Sequence, residues 1–259
     1  MPAVADASAA RSAVSPLTPT SVEVNGETAL RAALASATAG TEILVGAGTY
    51  PGTYSFKNAG TGNSTTGVVN RPIYIRAKDP SIDATVSAGV NFTGTITLDK
   101  AWTGVIGRGI RVSSVVVKAL GARVSRVVWK GSANINFQNG AKFARCDRNW
   151  VVGFTGPWAE GSMTPGHNML GIRIYMNHID DHTVSSSNES VISILTDMWG
   201  DSHLSTDGNR FNNCLQQKTN QRELQTIKVG YAYWRNNTIL ATDAAVTFRE
   251  TVNLSLIHI

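Results

Sequence analysis

Charge is scarce in this chain: Asp, Glu, Lys and Arg make up 16% of its 259 residues. So low a share argues against a helical protein, whose exposed faces are built from those residues. Apolar runs of 18 or more residues are missing, so no segment reads as a membrane-spanning helix. Asn-Gly and similar dipeptides are few, which counts against a sandwich or propeller of strands joined by tight hairpins. Cysteine is nearly absent too, with only Cys146 and Cys214. In a chain wound in coils of about 20 to 34 residues, these two lie two or three coils apart. At the ~4.8 Å spacing of stacked strands that is roughly 10 Å or more, beyond the reach of a disulfide. Both read as buried structural thiols, and they leave the redox compartment open.

What is present is glycine (24 residues) with abundant Asn, Thr, Ser and Val, the composition of short strands joined by turns. From Thr41 onward such runs recur, among them "RPIYIRA", "TGVIGRGIRV", "SRVVWKG", "GIRIYMNHI", "SVISIL", "WRNNTIL" and "AVTFRE". Most alternate apolar and polar residues over a few positions and are bounded by Gly, Asn, Asp or Ser. Asn177, Asn209 and Asn237 each stand two residues before an apolar residue, at intervals of 32 and 28. Similar local pattern at variable spacing predicts one solenoid with loops of different length. The fold class expected is all-β, a single-stranded right-handed parallel β-helix. The three asparagines are expected to stack on one another at its turns.

Before these runs, "NGETALRAALASATAG" reads as a turn at Asn25-Gly26 and a short amphipathic helix. Leu30, Ala33, Leu34 and Ala37 repeat at helical spacing, Thr28 is the candidate N-cap, and Gly40 ends the helix. Such a helix would cap the open end of the solenoid. Residues 1–20, rich in Ala, Ser and Pro, read as a disordered leader without the apolar core of a signal peptide. The last six residues, "LSLIHI" (254–259), resemble a translated library-adapter sequence and read as a scar. The β-helix domain is then expected over 21–253, with the natural protein continuing past about Asn253.

The net charge of +5 and pI near 9.4 suit a polyanionic partner. The basic residues are scattered, which leaves nucleic acid and acidic polysaccharide both open. Two of them draw attention. Lys228 in "QTIKV" and Arg249 in "VTFRE" are 21 residues apart. A coil of about that length makes them lateral neighbours, with Ile227 and Phe248 inward and both cations on the outer wall. Like charges side by side make sense where something anionic lies across them, and an arginine beside a lysine lowers the lysine pKa toward that of a general base.

Here the sequence resembles polysaccharide lyase family 6, the alginate lyases and chondroitinase B. That family's signature is an acidic residue, one spacer, Glu, four spacers and Lys, with Arg on the next coil. "QRELQTIKV" supplies Glu223 and Lys228, and Arg249 follows in position. "GTEILVGAGTY" and "NRPIYIRAKDPS" resemble the first coils of such lyases, and the likeness runs from about Val22 to Asn253. The resemblance implies a carbon–oxygen lyase that cleaves a uronic-acid polysaccharide by β-elimination, with Lys228 as base and Arg249 as helper. It implies Ca²⁺ as cofactor, held by Glu223 and by Asn188 of "SSSNESV". It implies an acidic polysaccharide as partner rather than nucleic acid or membrane, a monomer, and a secreted or periplasmic location. Two positions depart from the pattern. Gln221 stands where the family has a second acidic ligand, which weakens the metal site. Glu250 stands where a His is common, so it falls with Arg222 among the expected substrate-binding residues.

Other readings remain. A non-catalytic, glycan-binding β-helix of tailspike or adhesin type would keep its affinity without Lys228. A polygalacturonase or pectate lyase would need clustered carboxylates, and no outward column of paired Asp is evident. His167, His178, His182 and His203 show no metal spacing beyond His178 and His182 at i, i+4, which matters on a helix; "NHIDDHT" reads as strand and turn.

Overall fold

The computed structural model describes residues 19–84, 89–161, 170–184, 191–195, 203–212, 214–216, 223–228, 231–240, 245–248 and 253–257. The chain opens with β1 (Thr20–Val24), α1 (Glu27–Ser36), β2 (Thr41–Val45), β3 (Gly48–Tyr50) and β4 (Tyr54–Ser55). A small antiparallel ribbon follows, β5 (Thr61–Gly62) and β6 (Val69–Arg71). Every other strand pairing among the described residues is parallel. The first full coils are β7 (Ile73–Ala77) with β8 (Val90–Leu98), β9 (Thr103–Ile106) with β10 (Ile110–Val117), and β11 (Arg123–Ser125) with β12 (Val128–Phe137). Next come β13 (Arg145–Asp147), β14 (Trp150–Thr155) and β15 (Ala159–Gly161), then β16 (Ile172–Tyr175), β17 (His178–Val184) and β18 (Ile192–Leu195). The last coils hold β19 (His203–Asp207), β20 (Arg210–Asn212), β21 (Leu215–Gln216) and β22 (Glu223–Lys228), then β23 (Tyr231–Arg235), β24 (Thr238–Leu240), β25 (Ala245–Phe248) and β26 (Asn253–Ile257).

These strands form two walls. One is a ten-stranded sheet in the order β1-β2-β7-β9-β11-β13-β16-β19-β23-β26; the other, of 14 strands, takes the remaining segments of each coil. Skipping in sequence while running parallel is the mark of a solenoid, and the architecture is the expected parallel β-helix. β26, within the segment read as a scar, continues the first wall in register with β23.

Alternation builds the core. On the ten-stranded wall one inward column runs Ile43, Ile75, Val105, Val124, Cys146, Ile174, Thr206, Trp234. All eight are buried. Cys146 fills an aliphatic slot in that column, and Cys214 is buried as well, both as free thiols. On the other wall Tyr50, Phe92, Val112, Trp129, Val151, Ile179 and Phe211 form a second column. Burying such columns is the main favourable term, at ~25 cal/mol per Å² of apolar surface.

The corner between the walls turns in two residues. Its first position is left-handed in coil after coil: Arg126 (φ 60), Arg148 (φ 55), Met176 (φ 55), Gly208 (φ 62) and Asn236 (φ 53). A non-glycine residue there costs about 1 to 2 kcal/mol, so something must hold the turn. The second position does so. Asn149, Asn177, Asn209 and Asn237 form the expected ladder, in which the amide oxygens of Asn177, Asn209 and Asn237 each accept from both the backbone N–H and the side-chain Nδ2 of the preceding rung, while that of Asn149 accepts from Val127 N–H. Each Nδ2 also donates to a carbonyl of a neighbouring coil, such as Asn177 to Cys146 O at 3.0 Å. Asn149, which also precedes an apolar residue by two, belongs to the ladder although the spacing pattern started at Asn177.

α1 caps the first coil with Leu30, Ala33 and Leu34 buried, and Ala37 buried just beyond it. Its start corrects the expectation. Thr28 lies inside the first turn, because Gly26 (φ 85) is the N-cap and Leu30 N–H already bonds Gly26 O at 3.1 Å. Glycine's freedom at positive φ lets the chain turn from β1 straight into the helix. The helix stops at Ser36, before Gly40, since Ala37 is already extended. "NHIDDHT" is likewise strand throughout β17, with Asp181 left-handed (φ 53) where the wall bends. His178 and His182 thus stand on a strand and not on the helix where their i, i+4 spacing would matter for a metal. No helix among the described residues is long and apolar enough to cross a membrane.

Candidate functional site

Lys228 ends β22, a strand held between two neighbours. On one side Leu195 of β18 is its register partner; on the other, Thr226 and Ile227 pair with Thr247 and Phe248 of β25. The pairing of Ile227 with Phe248 makes one coil of the 21-residue interval, as the sequence predicts. Ile227 also pairs with Ile194, which follows Gly161 and Phe137 in the same column, and Phe137 is fully buried.

Glu223 begins the same strand, paired with Ala245, and the register slips between Glu223 and Gln225. Such a slip in register is a β-bulge. Arg249, Glu250, Asn188, Gln221 and Arg222 lie outside the described residues. Among the described residues no group of three or more His, Cys, Asp or Glu could hold a metal ion.

The most heavily charged constellation with described side chains is elsewhere, and sequence reasoning missed it. Asp147 is fully buried at the end of β13. Its carboxylate accepts from Arg123 Nε and Nη2 at 2.9 Å each, Arg148 Nη1 at 2.8 Å and Ser125 Oγ at 3.0 Å. The bidentate bond to Asp147 raises the Arg123 pKa above its ordinary value, and burial raises that of Tyr74 beside it. With both carboxylate oxygens engaged, this cluster ties two successive coils together. Such a saturated carboxylate suits structure rather than proton transfer. Its signal in the sequence is Arg123 and Asp147, one coil apart in adjoining outward positions.

Outside the cluster, the ten-stranded wall carries a groove of about 540 Å³ lined by Arg173, Tyr175, Asp207, Tyr233 and Arg235 among others. Arg235 pairs with Asp207 at 3.6 Å and lies over the Tyr233 ring at 5.7 Å.

No protein-family model matches the chain, and no curated protein matches it. Two solved structures share its fold. A PL6 family polysaccharide lyase from Pseudopedobacter saltans superposes with a TM-score of 0.60 at 13% identity, over 87% of this chain and 54% of that one. The PL6 family alginate lyase AlyGC superposes with a TM-score of 0.56 at 16% identity, over 89% of this chain and 36% of its own. The chain thus spans about half the length of the first and little more than a third of the second. At these identities the likeness is one of fold, and the fold is that of structures described as PL6 polysaccharide lyases.

Proposed function

We propose that the chain is the β-helix of a polysaccharide lyase acting on a uronic-acid polymer, alginate in the first instance. The observation that carries this reading is the pairing of Ile227 with Phe248. That pairing is one of 21 residues, the interval that also separates Lys228 from Arg249, and it supports the reading in which the two cations are neighbours. A fold shared with PL6 lyases adds to it.

In this reading Lys228, as the neutral amine, removes the C5 proton of a uronate. The electron pair forms the C4–C5 double bond and the C4–O4 glycosidic bond breaks, the departing oxygen taking a proton from water to become a hydroxyl, which leaves a 4,5-unsaturated uronate at the new non-reducing end. The C5 proton is acidic enough only if charge developing on the neighbouring carboxylate is stabilised, and the Arg249 guanidinium supplies a donor for it. Glu223 and Asn188 would offer hard oxygens to a Ca²⁺ ion, with Gln221 contributing an amide where a carboxylate would bind more tightly. Bound there, the ion would neutralise the substrate carboxylate. Arg222 and Glu250 would contact flanking sugars.

Absorbance of the unsaturated uronate tests the reaction, with alginate and dermatan sulfate as separate substrates, each with Ca²⁺ and with chelator. Product from alginate that falls on chelation is the expected result. Folded protein inert on both polymers would favour a glycan-binding β-helix instead.

A further inference from the structure

Two grooves of about 560 and 490 Å³ adjoin on the corner between the walls, and Arg108 and Arg126 line both. The larger also takes in Arg148 and Trp150, the smaller Arg76 and Lys78. Most of these cations are already neutralised. Arg76 pairs with Glu42 at 2.7 Å, Lys78 with Glu23 at 2.6 Å and Arg148 with Asp147 at 2.8 Å. Arg108 and Arg126 are exposed, and among the described residues neither side chain has an acidic partner.

Register sharpens the anomaly. Ser125 pairs with Asp147 and Val128 with Trp150, so Arg126 and Arg148 occupy the same turn position of successive coils. Both are left-handed there, a conformation that glycine or asparagine adopts at less cost. Arg148 is balanced by Asp147, which leaves Arg126 and Arg108 as the exposed cations without an acidic partner among the described residues of these grooves. Beside them Trp150 is 41% exposed, with its indole N–H donating to Asp180 Oδ2 at 2.9 Å. That bond fixes the ring plane and leaves an aromatic face toward solvent, a platform for the apolar face of a sugar ring.

We propose that this corner groove binds a carboxylated oligosaccharide, with Arg108 and Arg126 taking uronate carboxylates and Trp150 stacking on a ring. The ligand class rests on the reading of an acidic-polysaccharide substrate. The groove is separate from Lys228, which ends a strand on another edge of the coil two coils further on. It would anchor the polymer away from the reacting bond. Asp83 at the groove and Asp180 behind Trp150 are carboxylates, acceptors of the kind that the row of hydroxyl donors on a sugar chain suits.

The test is calorimetric titration of alginate oligosaccharides into the full chain carrying Lys228→Ala, so that no polymer is cleaved, with and without Arg108→Ala and Arg126→Gly. Glycine at 126 relieves the left-handed backbone, so lost affinity cannot be ascribed to misfolding. Trp150→Ala is the third arm. The groove predicts affinity about tenfold weaker in the double arginine variant, equivalent to ~1.4 kcal/mol, and a comparable loss without Trp150. Unchanged affinity in both would overturn the proposal. So would a single-stranded DNA oligonucleotide binding more tightly than alginate with the same arginine dependence. Failure of the lyase reading shows separately, as absence of unsaturated product from protein with Lys228 intact.

Discussion

The side-chain oxygen of Asn177 accepts two hydrogen bonds from Asn149, at 3.0 Å from its backbone N–H and 2.9 Å from its Nδ2. One rung thereby satisfies the next across a buried corner whose preceding residue is left-handed. The ladder holds the turn in the coils that carry Asn149, Asn177, Asn209 and Asn237.

Asn177→Ala removes that acceptor and the donors to Cys146 O and Asn209 Oδ1. Buried groups of Asn149 and Asn209 lose partners, at a cost of about 3 kcal/mol or more. Urea denaturation should show a lower midpoint. Asn237→Ala, on a less buried rung, should cost less, and equal losses would mean that burial does not govern the ladder.

Asp147→Ala strands Arg123, whose guanidinium is bonded twice to the missing carboxylate. Removing one partner of a buried pair costs about 3 to 5 kcal/mol. Replacing Asp147 and Arg123 together by apolar residues should recover much of that loss. A double variant as unstable as the single would contradict a role confined to pairing.

Cys146 is pushed well above the ordinary thiol range, first by burial and then by the nearby Asp147 carboxylate. It should therefore resist a thiol reagent at pH 8 until the protein unfolds. The sign for stability follows. The folded pKa is raised, so the contribution is fully present below the unfolded thiol pKa and is lost as pH rises toward the folded one. Cys146→Ala should flatten the alkaline decline in stability; rapid labelling of native protein would contradict the burial.

The fold was legible because alternation and the asparagine interval are properties of residue type, and both survive variable loops. Asn177, Asn209 and Asn237 stack as their spacing suggested. The helix start was not legible. Thr28 has the chemistry of a cap, but Gly26 has the conformation, and a positive φ leaves little trace in sequence except glycine itself. The same reason hid the corner groove, since nothing marks Arg126 or Arg148 as left-handed until the coils are in register. Of the candidate site, the 21-residue interval was legible because strand stacking turns sequence distance into contact. The bulge at Glu223 was not, because it depends on the register of a neighbouring strand.

The central claim is that Lys228 is the base of a β-elimination. The most direct measurement is the initial rate of 4,5-unsaturated uronate formation from alginate, comparing the chain with its Lys228→Ala variant at matched folded concentration. The account predicts a loss of at least about 100-fold, the low end for removal of a positioned general base, with polymer binding retained. An unchanged rate would contradict it.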